Sequence, residues 1–236
     1  GTAKSGLPTT LYTLLKMLNT SHKNMLSIED PIECRIDGVP QGQIQEEAEQ
    51  TYEQDLQYAS KQRPEVVLID KILDGVLLQK VLRLASGSLV LSSLAAVDTA
   101  SAALKLLLLS QLQLVLDGVN CITSQRLVRK ICDRCKAEVT LAGAYREKLG
   151  LTPEDHCYAG KGCEYCGYTG YKGVTAIFEV LPFTEGLKKA ISDAATLSDL
   201  RNISASQHVL SLRDDGMRRV KQGVTTVQEV LKATIL

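Results

Sequence analysis

Four cysteines form two Cys-x-x-Cys pairs in the second half of the chain: Cys132 with Cys135, and Cys163 with Cys166. Zinc takes four ligands near tetrahedral corners and thiolates suit it, so each pair can supply two sulfurs from one side of the metal. The stretch 136–162 between the pairs is long enough to leave the metal and return to it. We therefore predict one zinc ion bound by all four cysteines. Because four protein ligands leave no position for water, this zinc should stabilise the fold and not catalyse.

Other arrangements of these cysteines stay open at this level. Each pair could form a disulfide, or the thiols could simply be buried, and His156 or Cys157 could replace a ligand from the intervening loop. The chain has seven cysteines, an odd number, with Cys34, Cys121 and Cys157 scattered outside the pairs. A disulfide framework pairs its cysteines more completely and belongs to short secreted chains, so the pattern favours zinc.

The composition excludes several classes of function. The chain has 236 residues and a formal net charge of zero, so a general attraction to nucleic acid or an anionic membrane is not indicated. No segment approaches the roughly 20 apolar residues that span a bilayer. The most apolar segment, 104–116, is interrupted by polar residues and predicts a buried helix. No secretory signal opens the chain, which makes the cytoplasm the expected location, without direct membrane insertion.

The first half of the chain alternates short apolar runs with helical patterns. Val66 to Ile69 is a continuous apolar run between Pro64 and Asp70, which is typical of a buried parallel strand. Alternation of this kind indicates an α/β fold with a parallel sheet covered on both faces. The other predicted elements are a helix after Gly6, a strand over 25–28, a solvated helix over 43–63, a helix over about 75–85 and a strand over 89–91.

The character of the chain changes after about residue 130. Cysteine pairs, glycines and tyrosines indicate a compact, loop-rich metal module, and the tail from about 184 is helical, with Thr225 or Thr226 capping its last helix. We predict three parts: a core over 1–130, a zinc module over 131–183 and a helical C-terminal subdomain over 184–236.

A degenerate phosphate-binding loop stands at the start. Its standard form is G-x-x-x-x-G-K-[ST], and Gly1 and Gly6 keep that spacing, but Leu7 replaces the lysine and Pro8 the hydroxyl residue. Proline also removes a backbone N–H where phosphate would be held. The turn could equally be unrelated to phosphate, or Lys4 could supply the charge from another place. The candidate nucleotide-binding residues are Gly1, Lys4, Ser5, Gly6 and Thr9.

Several motifs, in order along the whole chain, resemble the motor half of the type II secretion and type IV pilus assembly ATPases. The resemblance is specific because the four-cysteine arrangement is part of it. The matching segments are Thr9-Thr-Leu-Tyr12, Leu26-Ser-Ile-Glu-Asp-Pro-Ile-Glu33, Arg126-Leu-Val-Arg129, Gly162-Cys-x-x-Cys, Gly170-Tyr-Lys-Gly173, Ile177-Phe-Glu179, Leu212-Arg-Asp-Asp-Gly216 and Gly223-Val-Thr-Thr-Val-Gln-Glu-Val230.

The resemblance implies a RecA-like P-loop NTPase core, a zinc-bearing module and a helical C-terminal part, assembled as a hexameric ring with ATP and magnesium as ligands. It further implies that the ring works at the inner membrane through a platform protein and moves pilin-like subunits. Members of the family carry a strand and another domain before the loop, so we expect the sequence to be a fragment; the alternative is a sheet that lacks that strand.

Departures from the family lie at the positions of its chemistry. The family has Gly-Glu-x-Arg-Asp where this chain has Asp70-Lys-Ile-Leu-Asp74, and a lysine cannot accept a proton as the glutamate does. Further along, Ala95 replaces the histidine of the motif Ser-Thr-Leu-His-Thr-Asn-Asp, and Ser88 replaces a second histidine. The helix that offers arginines to a neighbouring subunit has Gln54 and Gln57 instead and keeps a positive charge only at Lys61.

The acidic box of the family survives as Glu29, Asp30 and Glu33, which are the candidate catalytic residues. They could hold a metal ion or form a solvated acidic turn. Asp70, at the end of an apolar run, could bind magnesium, or it could form a salt bridge with Lys71 or cap a helix.

The losses fall in independent motifs while the apolar runs and cysteines are intact. Charge stabilisation supplies most of the rate in phosphoryl transfer, so these losses together should abolish turnover. We expect a catalytically impaired motor protein that serves as a structural or regulatory ring subunit. The alternatives are an active ATPase that uses Lys4, Glu33 and Asp70 in altered roles, and a decayed gene product without function.

Overall fold

The computed structural model describes residues 1–2, 4–20, 22–44, 52–142, 146–147, 149–192 and 196–234. Its contacts divide the chain into two compact units. The first unit is Gly1–Thr123 with Leu181–Val209, and the second unit is Ser124–Val180 with Leu210–Leu236.

The first unit is built on a four-stranded parallel sheet in the order β2-β1-β3-β4. Its strands are β1 (Met25–Glu29), β2 (Gln41–Gln43), β3 (Val66–Lys71) and β4 (Leu89–Ser93). Every residue of β1 is buried. The predicted strands and the parallel sheet of the α/β fold are therefore confirmed.

Helices cover both faces of this sheet. Along β3, Val67 and Ile69 pack into one apolar cluster with α2 and α3, whereas Val66 and Leu68 pack into another with α1. Successive side chains of a strand point to opposite faces, so a run of apolar residues is what a strand buried on both faces requires. The helices of the unit are α1 (Leu7–Leu18), α2 (Tyr52–Lys61), α3 (Gly75–Leu84), α4 (Thr99–Leu109), α5 (Leu112–Gly118), α6 (Glu185–Ser192) and α7 (Leu197–Ser206).

Two sequence predictions differ from the observed helices. The prediction of one buried helix over 104–116 is wrong, because Ser110 has an extended backbone, with φ −145° and ψ 169°, that ends α4 before α5 begins. Leu108 is also 76% exposed. The helix predicted over 43–63 is observed as α2 over Tyr52–Lys61, and residue 43, where the prediction began, belongs to β2. Residues 45–51 lie outside the described residues.

The second unit combines two small sheets with two helices. Strand β5 (Cys121–Ile131) pairs with β8 (Tyr171–Pro182), and β6 (Lys136–Val139) pairs antiparallel with β7 (Cys157–Gly160). Helices α8 (Leu212–Lys221) and α9 (Val227–Thr234) complete it. The Thr226 hydroxyl accepts a hydrogen bond from the Glu229 amide at 3.3 Å, which confirms the predicted cap of the last helix.

The tail is helical as predicted, with α6 and α7 in the first unit and α8 and α9 in the second. The three-part division at residues 130 and 183 remains a prediction. Within the described ranges, no helix is long and apolar enough to cross a membrane.

Candidate metal centre and candidate nucleotide site

The two Cys-x-x-Cys pairs converge in the second unit. The sulfurs of Cys132, Cys135, Cys163 and Cys166 all lie within 4.8 Å of one another. The Sγ–Sγ distances are 3.9 Å for Cys132–Cys163, 3.9 Å for Cys135–Cys166 and 3.8 Å for Cys163–Cys166. A tetrahedral site with metal–sulfur bonds of 2.3 Å has sulfurs about 3.8 Å apart. A disulfide would need about 2.05 Å. The four thiols therefore fit a tetrahedral metal ion and are not disulfides.

Backbone contacts bring the two pairs together. Cys132 follows β5 directly and donates its amide to the Gly170 carbonyl at 3.0 Å, and the Lys161 amide donates to the Cys135 carbonyl at 3.0 Å. At the end of β7, Gly160 lies against Gly170 so closely that a Cβ on Gly160 would stand 2.0 Å from the Gly170 carbonyl oxygen. The approach of the two cysteine turns thus depends on a glycine at each of these positions.

Two amides stabilise the thiolate form of Cys166. The N–H groups of Cys163 and Gly170 each donate to Cys166 Sγ at 3.3 Å. Burial acts to raise the pKa of this thiol, but the hydrogen bonds outweigh it and lower the pKa from 9.0 to about 6. Burial, with hydrogen bonds from the neighbouring thiols, raises the pKa of Cys135 to about 12, so Cys166 is the thiol that favours the thiolate.

The residues between the cysteines of each pair also contact one another. The Arg134 guanidinium lies 3.9 Å from the centre of the Tyr165 ring, and Lys172 Nζ lies 4.9 Å from the same centre. The Tyr165 ring thus contacts two cations, and one of them comes from the other cysteine turn. The sequence indicates Tyr165 only as one of the tyrosines of the loop-rich module, and its contact with Arg134 is set by the fold.

The two alternative ligands lie elsewhere. His156 Nδ1 pairs with Glu138, and Cys157 is buried in an apolar cluster with Leu151 and Val220. Among the described residues, the metal cluster consists of the four paired cysteines without either of them.

The degenerate phosphate loop leads directly into α1. Gly6 adopts a left-handed conformation, with φ 84°, immediately before the helix, and Pro8 lies in the first turn. Ser5 is buried, whereas Lys4 and Thr9 are exposed. The Gly1 carbonyl accepts a hydrogen bond from the Ala96 amide at 3.3 Å. The loop therefore contacts the segment after β4, where this chain has alanines.

Glu29 ends β1 as a buried carboxylate, only 2% exposed. The hydroxyls of Tyr12 and Ser27 donate hydrogen bonds to it, and Gln41 Nε2 donates at 3.0 Å. Burial and the hydrogen bond to Glu29 raise the pKa of Tyr12 from 10.0 to about 12. The phenol thus stays a donor, and its oxygen accepts from the Glu33 amide at 2.9 Å.

A narrow cleft joins the acidic residues to the loop. Its volume is about 10 Å³, room for roughly one water molecule. Burial, the largest effect, raises the pKa of Asp70, and the nearby Lys71 acts in the opposite direction. The cleft is lined by Pro8, Leu11, Tyr12, Glu29, Pro31, Glu33, Leu68 and Asp70. The fold thus brings Glu29, Glu33 and Asp70 to the helix end at which phosphate would be held.

Asp30 turns away from this set to pair with Lys71. Lys71 Nζ lies 2.9 Å from Asp30 Oδ2 and also donates to the Asp30 carbonyl at 3.2 Å. A salt bridge with Lys71 is one of the alternatives for Asp70, and among the described residues Lys71 pairs with Asp30 instead. On α2, Gln54 and Gln57 are exposed, as is Lys61.

The first unit is thus an α/β fold with a parallel sheet, and acidic residues at the carboxyl edge of the sheet lie beside the start of a helix that follows a glycine. The ATPase DotB of Legionella pneumophila shares this fold, with a TM-score of 0.69 at 15% identity, over 98% of this chain and 57% of that one.

The family model described as "Type II/IV secretion system protein" matches residues 1–232, and the chain belongs to that family. It is 34% identical to the type IV pilus assembly ATPase PilB of Thermus thermophilus over all of this chain and 27% of that protein. It is 32% identical to type II secretion system protein E of Dickeya dadantii over 99% of this chain and 47% of that protein. The chain thus spans about a quarter to a half of the length of these relatives.

Proposed function

We propose that this chain is a member of the secretion and pilus motor family with impaired ATP hydrolysis, and that it acts as a structural or regulatory subunit of the ring. The observation that carries the proposal is the ion pair between Lys71 and Asp30, with a nitrogen–oxygen distance of 2.9 Å. It puts a cation at the position where the family has a glutamate.

The pair affects two requirements of the reaction. A protonated lysine cannot take a proton from water, so the group at this position cannot act as a general base. The same ammonium holds Asp30, one carboxylate of the acidic box, which magnesium would otherwise attract. Both effects oppose phosphoryl transfer.

The degenerate phosphate-binding loop also lacks groups that would bind phosphate. Leu7 offers no charge to a phosphate, and Pro8 offers no N–H in the first turn of α1. Phosphoryl transfer depends almost entirely on positioning and charge stabilisation, so these losses should combine.

Magnesium-dependent phosphate release by the purified protein tests the proposal. We expect none above background. A matched variant carrying Leu7→Lys, Pro8→Ser and Lys71→Glu restores three family residues and should gain ATP binding. Turnover by the unchanged protein that Asp70→Asn abolishes would contradict the proposal.

A second candidate function is residual ATP binding and hydrolysis through Lys4, Glu33 and Asp70. The observation that favours it is the shared cleft, where Glu33 and Asp70 lie with Pro8 beside the loop. Titration with ATP and magnesium separates the two functions. Micromolar affinity that disappears in Lys4→Ala would support this candidate, and no binding at millimolar ATP would exclude it.

The four cysteines are proposed to bind zinc, the ion that prefers four thiolates in tetrahedral geometry. Zinc there supplies a cross-link between the turn after β5 and the turn after β7, with no open position for substrate. Measurement of bound metal in protein purified without added metal tests its identity; iron or no metal in place of zinc would contradict it.

The assembly is also part of the proposal. We place the chain in a homo- or hetero-hexameric ring in the cytoplasm, held at the inner membrane by a platform protein, because its relatives are named as pilus assembly and secretion proteins. Light scattering of the purified protein, alone and mixed with an active family member, tests for a ring. A monomer under both conditions would contradict it.

A further inference from the structure

A second and larger cleft opens in the first unit, with a volume of about 740 Å³. It lies between α2 and α3, where Pro64 leads into β3 and Ser88 leads into β4. This is the amino edge of the parallel sheet. The acidic residues and the degenerate loop lie at the opposite, carboxyl edge, so the two clefts are separate.

The charge of the large cleft is positive. Three cationic side chains line it, Arg63, Lys80 and Arg83, against one carboxylate, Glu53, which pairs with Lys80. Both arginines are exposed, and within the described ranges neither guanidinium has a hydrogen-bond or ion-pair partner. Two guanidinium forks therefore lie on one cleft with their donors unused, an arrangement that suits phosphate oxygens.

The hydroxyl groups of the cleft add a different specificity. Ser60, Ser86 and Ser88 each donate to a backbone carbonyl, at 3.0, 2.7 and 2.7 Å. Their oxygens are left as acceptors, so they can receive N–H or O–H groups of a ligand. Recognition of negative charge therefore falls to the two arginines.

Apolar side chains complete the wall. Leu56, Pro64 and Leu84 line the cleft beside the polar groups. Sites for small organic ligands have volumes of about 300–1,000 Å³ and combine apolar walls with a few polar groups. The volume and the lining both match that description.

We propose that this cleft binds a small organic phosphate of nucleotide size, with its phosphate on Arg63 and Arg83 and its hydroxyl or amino groups on the serines. The inference goes beyond the proposed function, because it concerns neither the degenerate loop nor the metal centre.

The arginines also have a structural role that the experiment must separate from binding. Helices α2 and α3 both end at this cleft, and cations offset the partial negative charge of a helix C-terminus. That role alone predicts a small loss of stability on substitution and no effect on any ligand.

Isothermal titration of the purified protein with ADP, and separately with inorganic pyrophosphate, tests the proposal. The test variant is Arg63→Gln with Arg83→Gln, which removes both guanidinium charges and leaves shorter polar side chains. The control is Arg213→Gln, an exposed arginine of α8, and Lys4→Ala reports separately whether a probe binds at the loop instead of the cleft. Thermal melts of all variants report on the structural role.

We expect ADP to bind the unchanged protein and the Arg213→Gln control equally, and the double variant at least about tenfold more weakly, as expected for lost charge-assisted hydrogen bonds. Pyrophosphate should compete with ADP but bind more weakly, because it lacks the groups that the serines accept. The proposal is overturned if neither probe binds at millimolar concentration, if the double variant binds ADP as well as the unchanged protein, or if Lys4→Ala or Arg213→Gln loses the binding.

Discussion

Lys71 Nζ lies 2.9 Å from Asp30 Oδ2, across the carboxyl ends of neighbouring strands β3 and β1. The lysine and the aspartate are far apart in the sequence, and parallel pairing of the two strands brings them together. A cation at the end of β3 beside a cluster of carboxylates is electrostatically consistent with its surroundings. Lys71 therefore replaces the glutamate that the family has at this position and also forms an ion pair with Asp30.

The Lys71–Asp30 pair should contribute little to stability. Both side chains are about one-third exposed, at 37% and 34%, so solvent screens their attraction. We expect a double-mutant cycle of Lys71→Met and Asp30→Asn, measured by urea unfolding, to give a coupling free energy of about 0.5–1 kcal/mol. Strict additivity of the two changes would show that the pair is not formed in solution.

Loss of one metal ligand should be far more costly. A structural zinc site has an apparent binding free energy of about 10–16 kcal/mol, comparable to the total stability of a domain. We expect Cys132→Ser to lose most of its bound zinc and to unfold the second unit, as read by metal analysis and amide hydrogen exchange. Cys34→Ser, which changes an exposed cysteine of the first unit, is the matched control. It should keep its bound zinc and a folded second unit. A zinc-free Cys132→Ser protein of unchanged stability would disprove a structural role for the metal.

The close approach of Gly160 to Gly170 predicts a steric effect on the same site. A methyl group on Gly160 would overlap the Gly170 carbonyl oxygen, so Gly160→Ala should destabilise the second unit by about 1–3 kcal/mol and weaken zinc binding. Gly186→Ala is the control, since Gly186 lies in α6 with open space around it. Alanine favours a helix over glycine there, and the change should stabilise by up to about 1 kcal/mol. Equal effects of the two changes on thermal melting would argue against the close approach.

The stability of the first unit should fall in acid through Asp98. Burial acts to raise the pKa of this carboxyl, but hydrogen bonds from Ser101 and Arg201 outweigh it and lower the pKa below 3.8. Because the pKa is lower in the folded chain, the stabilisation is complete well above pH 3.8 and is lost as the pH falls through the folded value.

Substitution of Asp98 measures that contribution. At pH 7, Asp98→Ala should cost about 1–2 kcal/mol, since Asp98 caps α4 and accepts from the Ser101 amide at 2.7 Å. We expect urea unfolding to show a smaller difference in free energy of unfolding between the unchanged protein and Asp98→Ala at pH 3 than at pH 7. Asp98→Asn keeps the cap without the charge. Its free energy of unfolding at pH 7 should lie between those of the unchanged protein and Asp98→Ala. A difference that does not change with pH would mean that the charge of Asp98 has no part in it.

The elements of this protein follow largely from its sequence, because they depend on local patterns. The apolar run from Val66 to Ile69 identifies a strand buried on both faces, and the two Cys-x-x-Cys pairs identify a candidate metal centre whose four sulfurs the fold brings within 4.8 Å. In both cases neighbouring residues share one physical requirement, either burial or metal coordination, and that requirement is visible in residue types and spacing.

Contacts between distant segments were decided only by the tertiary structure. Lys71 has two possible acidic partners, the neighbouring Asp70 and the distant Asp30, and the pairing of β1 with β3 selects Asp30. The end of α4 at Ser110 likewise lies in a run of apolar residues, where composition does not reveal a change of backbone direction. The same is true of Arg63 and Arg83, which share a cleft because the ends of α2 and α3 meet at the amino edge of the sheet. Spacing along the chain carries no information about such pairs, since their distances are set by how the strands and helices pack.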